Sequence, residues 1–344
     1  MELTERKLKI LQAIISDYVA SAEPVGSRNL SKKYDLGISP ATIRNEMSDL
    51  EDMGFLTHPH TSAGRVPSDK AYRFYVDELM KKKELTSSEK RIIAERLGSD
   101  IREFDSVMRH AAGLLSEITN LTSFALSPQR TGETLAYVSL LPVDKDTVIL
   151  MTVSDSGRVS NTAIKLQVPY TRENLELMSK HMTYMYRGQK LTDVLKDNMI
   201  DGFRGDMASL SMLSESIMPD FLKTLEKMLN VHLYMDGFTN IFDIPEYSDM
   251  TRAKKLLSLL ERKEDFAKKI SERDDGVIVT IGDENADDKL NDCSLITATY
   301  KIDGEFVGKI GVIGPTRMKY SEITSIVEYL TDNLNETFKL ESGD

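Results

Sequence analysis

Apolar side chains recur at three- and four-residue spacing from the start of the chain. Leu8, Leu11, Ile14, Ile15, Tyr18 and Val19 form one helical stripe behind Thr4, whose hydroxyl can cap it, and Glu23-Pro24 ends it. A second helix over about residues 27–34 turns Leu30 inward and Arg28, Lys32 and Lys33 outward. After a short turn at 35–38, Ser39-Pro40 provides a hydroxyl cap and a proline at the first helical position. Gly54 stops that third helix. On a helical wheel Ile43, Met47 and Leu50 share one narrow stripe. The opposite side carries Ala41, Asn45, Ser48 and Asp52, flanked by Thr42 and Arg44. Three short helices with a turn before the third make a helix-turn-helix. Residues 57–66, with His58, Pro59, His60, Gly64 and Arg65, are too polar for a helix and read as a hairpin wing. A fourth helix is expected over 68–83, packing Tyr72, Tyr75, Val76 and Leu79. It closes on Lys81-Lys82-Lys83, which suit the negative end of its dipole or a contact to phosphate.

Beyond residue 84 the pattern changes. Thr86-Ser87-Ser88-Glu89 is a capping box in front of Ile92, Ile93 and Leu97. A further helix carries Ile101, Phe104, Met108, Ala112, Leu115 and Ile118. Strands are expected at 135–141, 147–153 and 158–168, with the turn Asp155-Ser156-Gly157 between the last two, as a small antiparallel meander. Helices follow at 172–186, 191–198 and 206–229, the last split by Pro219. Then come a strand near 231–242, helices at 249–260 and 263–272, and strands at 277–281, 295–302 and 305–313. A final helix spans 321–338. Late strands flanked by helices define an α+β sensor-like domain.

The outward face of the third helix suggests its partner. It is short-chained and polar, and its N-terminal half holds no carboxylate but Glu46, while Asp49, Glu51 and Asp52 crowd the second half. A helix that enters the major groove with its first turns needs that asymmetry. The net charge of −11 speaks against nucleic acid until it is divided. Residues 1–83 hold 13 Lys and Arg against 12 Asp and Glu, so the excess acid belongs to the rest of the chain. A length of 344 residues fits two or three domains, and 40% hydrophobic residues are enough for real cores. No secretory leader, no membrane span and a single cysteine, Cys293, suit a cytoplasmic protein.

No catalytic constellation stands out. His58-x-His60 lacks the further ligands of a metal site. Residues 308–314, GKIGVIG, are not the dinucleotide fingerprint and lie in a strand. The acidic run 283–288 lacks the glycine and spaced glutamate of a calcium loop and reads as a solvated hairpin tip. Cys293, before an apolar run, reads as a buried soft residue. Nine of seventeen methionines fall between residues 170 and 235, which suits an adaptable core or a dimer interface. Neither a cofactor nor a metal is expected.

The run SPATIRNEMSDLEDMGFLTHPHTSAGRVPSDKAYRFYVD, residues 39–77, closely resembles the winged-helix signature of the HrcA family of heat-inducible transcription repressors. ATIRN, PHTSAGR and YRFYVD stand in that family's order, and VGKIGVIGPTRMKY matches later. Ala71 departs from an expected glycine and, as the better helix former, changes nothing essential. The resemblance implies a winged-helix domain at 1–83 and a GAF-like domain at 84–129 and 233–344. An inserted dimerising domain of α+β type would occupy 130–232. It also implies a non-enzymatic homodimer on an inverted-repeat operator of double-stranded DNA before chaperone operons, kept active by the GroEL chaperonin. Candidate DNA contacts are Arg28, Ser39, Ala41, Thr42, Arg44, Asn45, Ser48, His60, Thr61, Ser62 and Arg65. Two rivals are a winged-helix regulator with a small effector in the GAF-like domain and an enzyme with an appended DNA module. The lack of an acid–base or metal cluster weighs against the enzyme.

Overall fold

A computed structural model describes residues 3–59, 64–97, 104–127, 132–196, 208–229, 231–302 and 306–341. The chain divides into two compact units, residues 1–128 with 232–344, and residues 129–231.

The first unit opens with α1 (Glu5–Ser21), capped by Thr4 and closed by Ala22 in the left-handed conformation, and α2 (Ser27–Lys33). In α3 (Pro40–Asp52) the Ser39 hydroxyl accepts the Thr42 N–H at 3.1 Å. Ile43, Met47 and Leu50 of α3 are buried with Ile10, Leu11, Ile14 and Leu30. Each such burial stabilises by on the order of 1.5–3 kcal/mol. β1 (Leu56–Thr57) and β2 (Val66–Pro67) pair antiparallel as the base of the wing, and Val25 bridges Arg65 as a third rung. α4 (Asp69–Phe74) runs into a π turn, Tyr75–Leu79, that ends where the Met80 N–H returns to the Tyr75 carbonyl. The helix expected to reach residue 83 is therefore shorter. Lys82 instead pairs with Glu328 at 2.9 Å, and Lys83 with Glu89 at 3.3 Å and Glu322 at 3.4 Å. Carboxylates of other helices, not a helix dipole, hold Lys82 and Lys83.

The reciprocal Thr86–Glu89 box forms ahead of α5 (Ser87–Leu97), and α6 (Phe104–Thr119) leads into β3 (Thr122–Leu126). Ile101, part of the stripe expected for α6, lies outside the described residues.

The second unit is a meander of β4 (Leu135–Pro142), β5 (Thr147–Ser154) and β6 (Val159–Lys165), all antiparallel. α7 (Arg172–Tyr186), α8 (Leu191–Lys196) and α9 (Ala208–Leu229) complete it. Pro219 sits inside α9 without splitting it, because Leu213, Ile217, Phe221 and Leu225 bury one continuous face across it. α7 closes the outer edge of β4 through hydroxyls. Thr183 Oγ1 accepts the Val138 N–H at 3.0 Å and donates to the Val138 carbonyl at 3.1 Å, and Ser179 Oγ accepts the Leu140 N–H at 2.9 Å. An edge strand so occupied cannot template pairing with another chain.

Back in the first unit, β7 (Leu233–Asp236) is shorter than the strand expected at 231–242, because Gly237 takes a positive φ and a 3-10 turn follows. α10 (Met250–Leu260) and α11 (Lys263–Ser271) precede β8 (Ile278–Ile281), β9 (Cys293–Ile302), β10 (Phe306–Pro315) and α12 (Tyr320–Glu341). The sheet order is β7-β3-β10-β9-β8, antiparallel throughout. One face joins α5, α6 and α12 in a core that runs on without a break into the helices of residues 5–52. On the other face Phe124 stacks edge-on against Phe266 of α11, ring centres 5.3 Å apart. The glycines of β10 serve this packing. A Cβ at Gly308 would lie 2.2 Å from the Tyr300 ring, and one at Gly311 the same distance from the Ile296 carbonyl oxygen. No phosphate loop forms there.

Candidate nucleic-acid interface

α3 leaves Ala41, Arg44, Asn45 and Ser48 exposed along one side, and Arg28 with its neighbours Asn29 and Lys32 is exposed on α2. Thr42 is half-buried, its hydroxyl 2.9 Å from that of Ser39, so both side chains serve the cap as well as the surface. His60, Thr61 and Ser62 lie outside the described residues.

The carboxylates of α3 are managed from within. Lys7 of α1 donates to Glu46 at 2.6 Å and to Asp49 at 2.8 Å, and Arg6 reaches Glu46 at 3.3 Å. Hydrogen bonds to Asp49 and Glu46 hold the Lys7 ammonium above the usual lysine range. Glu46, the one acid in the first half of the helix, is thereby turned away from the outer face and neutralised. Glu51 is held by His58 and by Arg65, whose Nε lies 2.7 Å away without hydrogen-bond alignment. Arg65, expected to reach DNA from the wing, is thus half-buried at its base with its charge partly matched. Next to it, Gly64 passes so close that a Cβ would sit 2.6 Å from the Val25 carbonyl carbon. Only glycine lets the wing lie against residue 25 there. These pairings join residues about forty positions apart in one case, and no local pattern announces them.

Two other expectations change. The acidic segment is not a free tip. Glu284 accepts the Ile281 N–H at 2.8 Å and pairs with Arg73, while Asp287 pairs with Lys269 at 3.0 Å. Cys293 is buried, its thiol 3.3 Å from the Tyr247 hydroxyl, and burial pushes it up to about 11. Among the described residues no group of His, Cys, Asp or Glu is arranged to hold a metal, and no helix is long and apolar enough to cross a membrane.

A compact three-helix bundle, closed by a short hairpin and presenting a helix whose first turns expose no carboxylate, defines a winged-helix DNA-binding domain. The family model for the winged helix-turn-helix transcription repressor, HrcA DNA-binding, matches residues 2–80, and that for the HrcA protein C-terminal domain matches residues 105–324. The chain belongs to the HrcA family. It is 41% identical to the heat-inducible transcription repressor HrcA of Alkaliphilus metalliredigens (strain QYMF), across 98% of this chain and 99% of that one. The protein of the same name from Clostridium tetani (strain Massachusetts / E88) is also 41% identical, across 98% and 97%. A crystal structure of a hypothetical protein shares the fold with a TM-score of 0.64, at 24% identity over 98% of this chain and 99% of that one.

Proposed function

We propose that this chain is a sequence-specific repressor of heat-shock chaperone operons. It acts in the cytoplasm, binds an inverted-repeat operator as a homodimer, and is kept active by the GroEL chaperonin. The observation that carries this reading is the outer face of α3, exposed at Ala41, Arg44, Asn45 and Ser48 while Lys7 and Arg6 neutralise Glu46 behind it. Asn45 can pair with adenine N6 and N7, and Arg28 and Arg65 meet phosphate or the minor groove. Residues 1–83 are the DNA-binding domain. The five-stranded sheet with its helices supports a GAF-like domain at 84–129 and 233–344, and the meander and its helices support an inserted dimerising domain at 130–232. Seven of the ten exposed large apolar side chains among the described residues lie in that second unit, including Tyr137, Leu141, Leu177 and Tyr184. Exposed apolar surface so concentrated favours a subunit interface there.

The switch is folding itself. Moving a two-state population from 9:1 active to 1:9 takes only about 2.6 kcal/mol, within the margin of an ordinary domain. A repressor of marginal stability loses operator-competent molecules whenever the chaperonin is diverted to other clients. One face of the sheet is covered by α11, with Phe266 and Ile270 buried and Phe266 packed edge-on against Phe124. The test inactivates the pure protein by mild heating and returns it to permissive temperature, with and without chaperonin and ATP. Recovery of operator binding only with chaperonin is the expected result. Equal recovery in both tubes removes the chaperonin from the mechanism and points to an effector instead.

A further inference from the structure

Two arginines fasten the winged-helix segment to the sheet: Arg73 pairs across the junction with Glu284, and Arg317, held in place by Glu246 on its own side, reaches across to a backbone carbonyl of α1. Arg73 of α4 donates from Nε to Glu284 Oε1 at 2.8 Å, and from Nη2 to Glu284 Oε2 and to the Val279 carbonyl at 2.6 Å. In the other direction Arg317, between β10 and α12, grips Glu246 through Nε and, at 3.1 Å, through Nη2. Its Nη1 donates to the Val19 carbonyl of α1 at 2.8 Å. Arg317 and Glu246 are largely buried, with side chains 15% and 19% exposed. Between the two clamps the rings of Tyr72 and Tyr320 lie 5.8 Å apart within one unbroken apolar core. Bidentate guanidinium–carboxylate pairs fix angle as well as distance, which a lysine in the same place would not do. The docking leaves the outer face of α3 open. It therefore aims the recognition helix without covering it.

We propose that Arg73, Glu284, Arg317 and Glu246 are positioning residues that set the half-site spacing this protein accepts on DNA. The inference rests on the dimeric DNA-binding reading above. Whatever surface carries the two-fold axis, the direction of each α3 depends on how rigidly its segment is held to the sheet. Each base pair added between half-sites shifts the second one by about 3.4 Å and turns it by about 35°. Two rigidly aimed helices tolerate little of that displacement. Loosely held ones follow it, at the expense of the best affinity.

The experiment uses the full chain on inverted repeats whose spacer changes one base pair at a time, and on a single half-site. The variants are Arg73→Ala with Arg317→Ala and the milder Arg73→Lys and Glu284→Gln. Wild type is expected to prefer its best spacer over the next by at least about tenfold, and the double alanine variant by less than about threefold. Half-site affinity should stay within about twofold of wild type in every variant, and the two mild substitutions should broaden the spacing profile partway. Folding is followed by thermal melting, and the mild variants decide the matter if the double variant melts early. An unchanged spacing profile in those variants, or an equal loss of affinity at every spacer, would overturn the inference. Failure of wild type to bind any spaced repeat would overturn the DNA reading itself and this inference with it.

Discussion

At the residue scale, one amide and one glycine carry most of what can be tested. Asn45 stands exposed one turn after Ala41, where a bidentate contact to adenine is within its reach. Asn45→Ala should weaken binding to the specific site by about 1–3 kcal/mol and leave random DNA almost unaffected, as read by competition titration. Equal losses on both would make Asn45 a phosphate-positioning group. Arg28 is exposed and should contribute about one unit to the slope of affinity against salt, whereas Arg65, held by Glu51, should contribute less. Gly64→Ala has backbone in its way at 2.6 Å, so the wing must shift. A fall in stability on the order of 1–3 kcal/mol is expected, with weaker DNA binding at temperatures where the variant is still folded. Cys293, raised to about 11 by burial, should resist alkylation at pH 8 until the chain is unfolded. Rapid labelling of native protein would contradict its burial.

At the scale of elements, legibility followed amphipathicity. Helices with one apolar stripe, such as α1, α3 and α7, stood out because a 3.6-residue period against solvent is a local signal. β3 did not. Its five residues, TSFAL, are buried on both faces between β7 and β10, so they show no alternation and are too short to stand out as an apolar run. The exposed side of α3 was legible as a candidate DNA face, while the Lys7–Glu46 and Arg65–Glu51 pairs that shape its charge were not, since each depends on chain reversal. α4 offers a pH test of its own. Burial, then Asp283, Glu284 and Asp292, raise the Asp69 carboxyl above the ordinary range. A carboxyl raised on folding costs stability once pH exceeds its unfolded value, and the cost is complete above the folded one. Asp69→Asn should therefore raise the melting temperature at pH 7 and make no difference below about pH 2.5, where both states are protonated. A lower melting temperature at pH 7 would show that the charge at the start of α4 helps the helix more than its acidic neighbours harm it.

At the scale of the whole molecule, the winged-helix segment shares its core with the sheet, and the unit of residues 129–231 has a core of its own. That division gives the dimer proposal a direct check. Replacing residues 130–231 by a short flexible linker should leave a folded monomer by light scattering, and a persistent dimer would move the contact to the first unit. The central claim is that the chain reads a defined DNA sequence through α3. The most direct measurement selects binders for the purified full chain from a randomised duplex pool, with Asn45→Ala run in parallel. Wild type is expected to enrich one inverted repeat, bound at least about a thousandfold more tightly than random duplex, and Asn45→Ala to enrich the same repeat with selection relaxed at the adenine position that Asn45 contacts. A pool that stays random with the wild type, or a repeat selected with identical base preference at every position by both proteins, would contradict that claim.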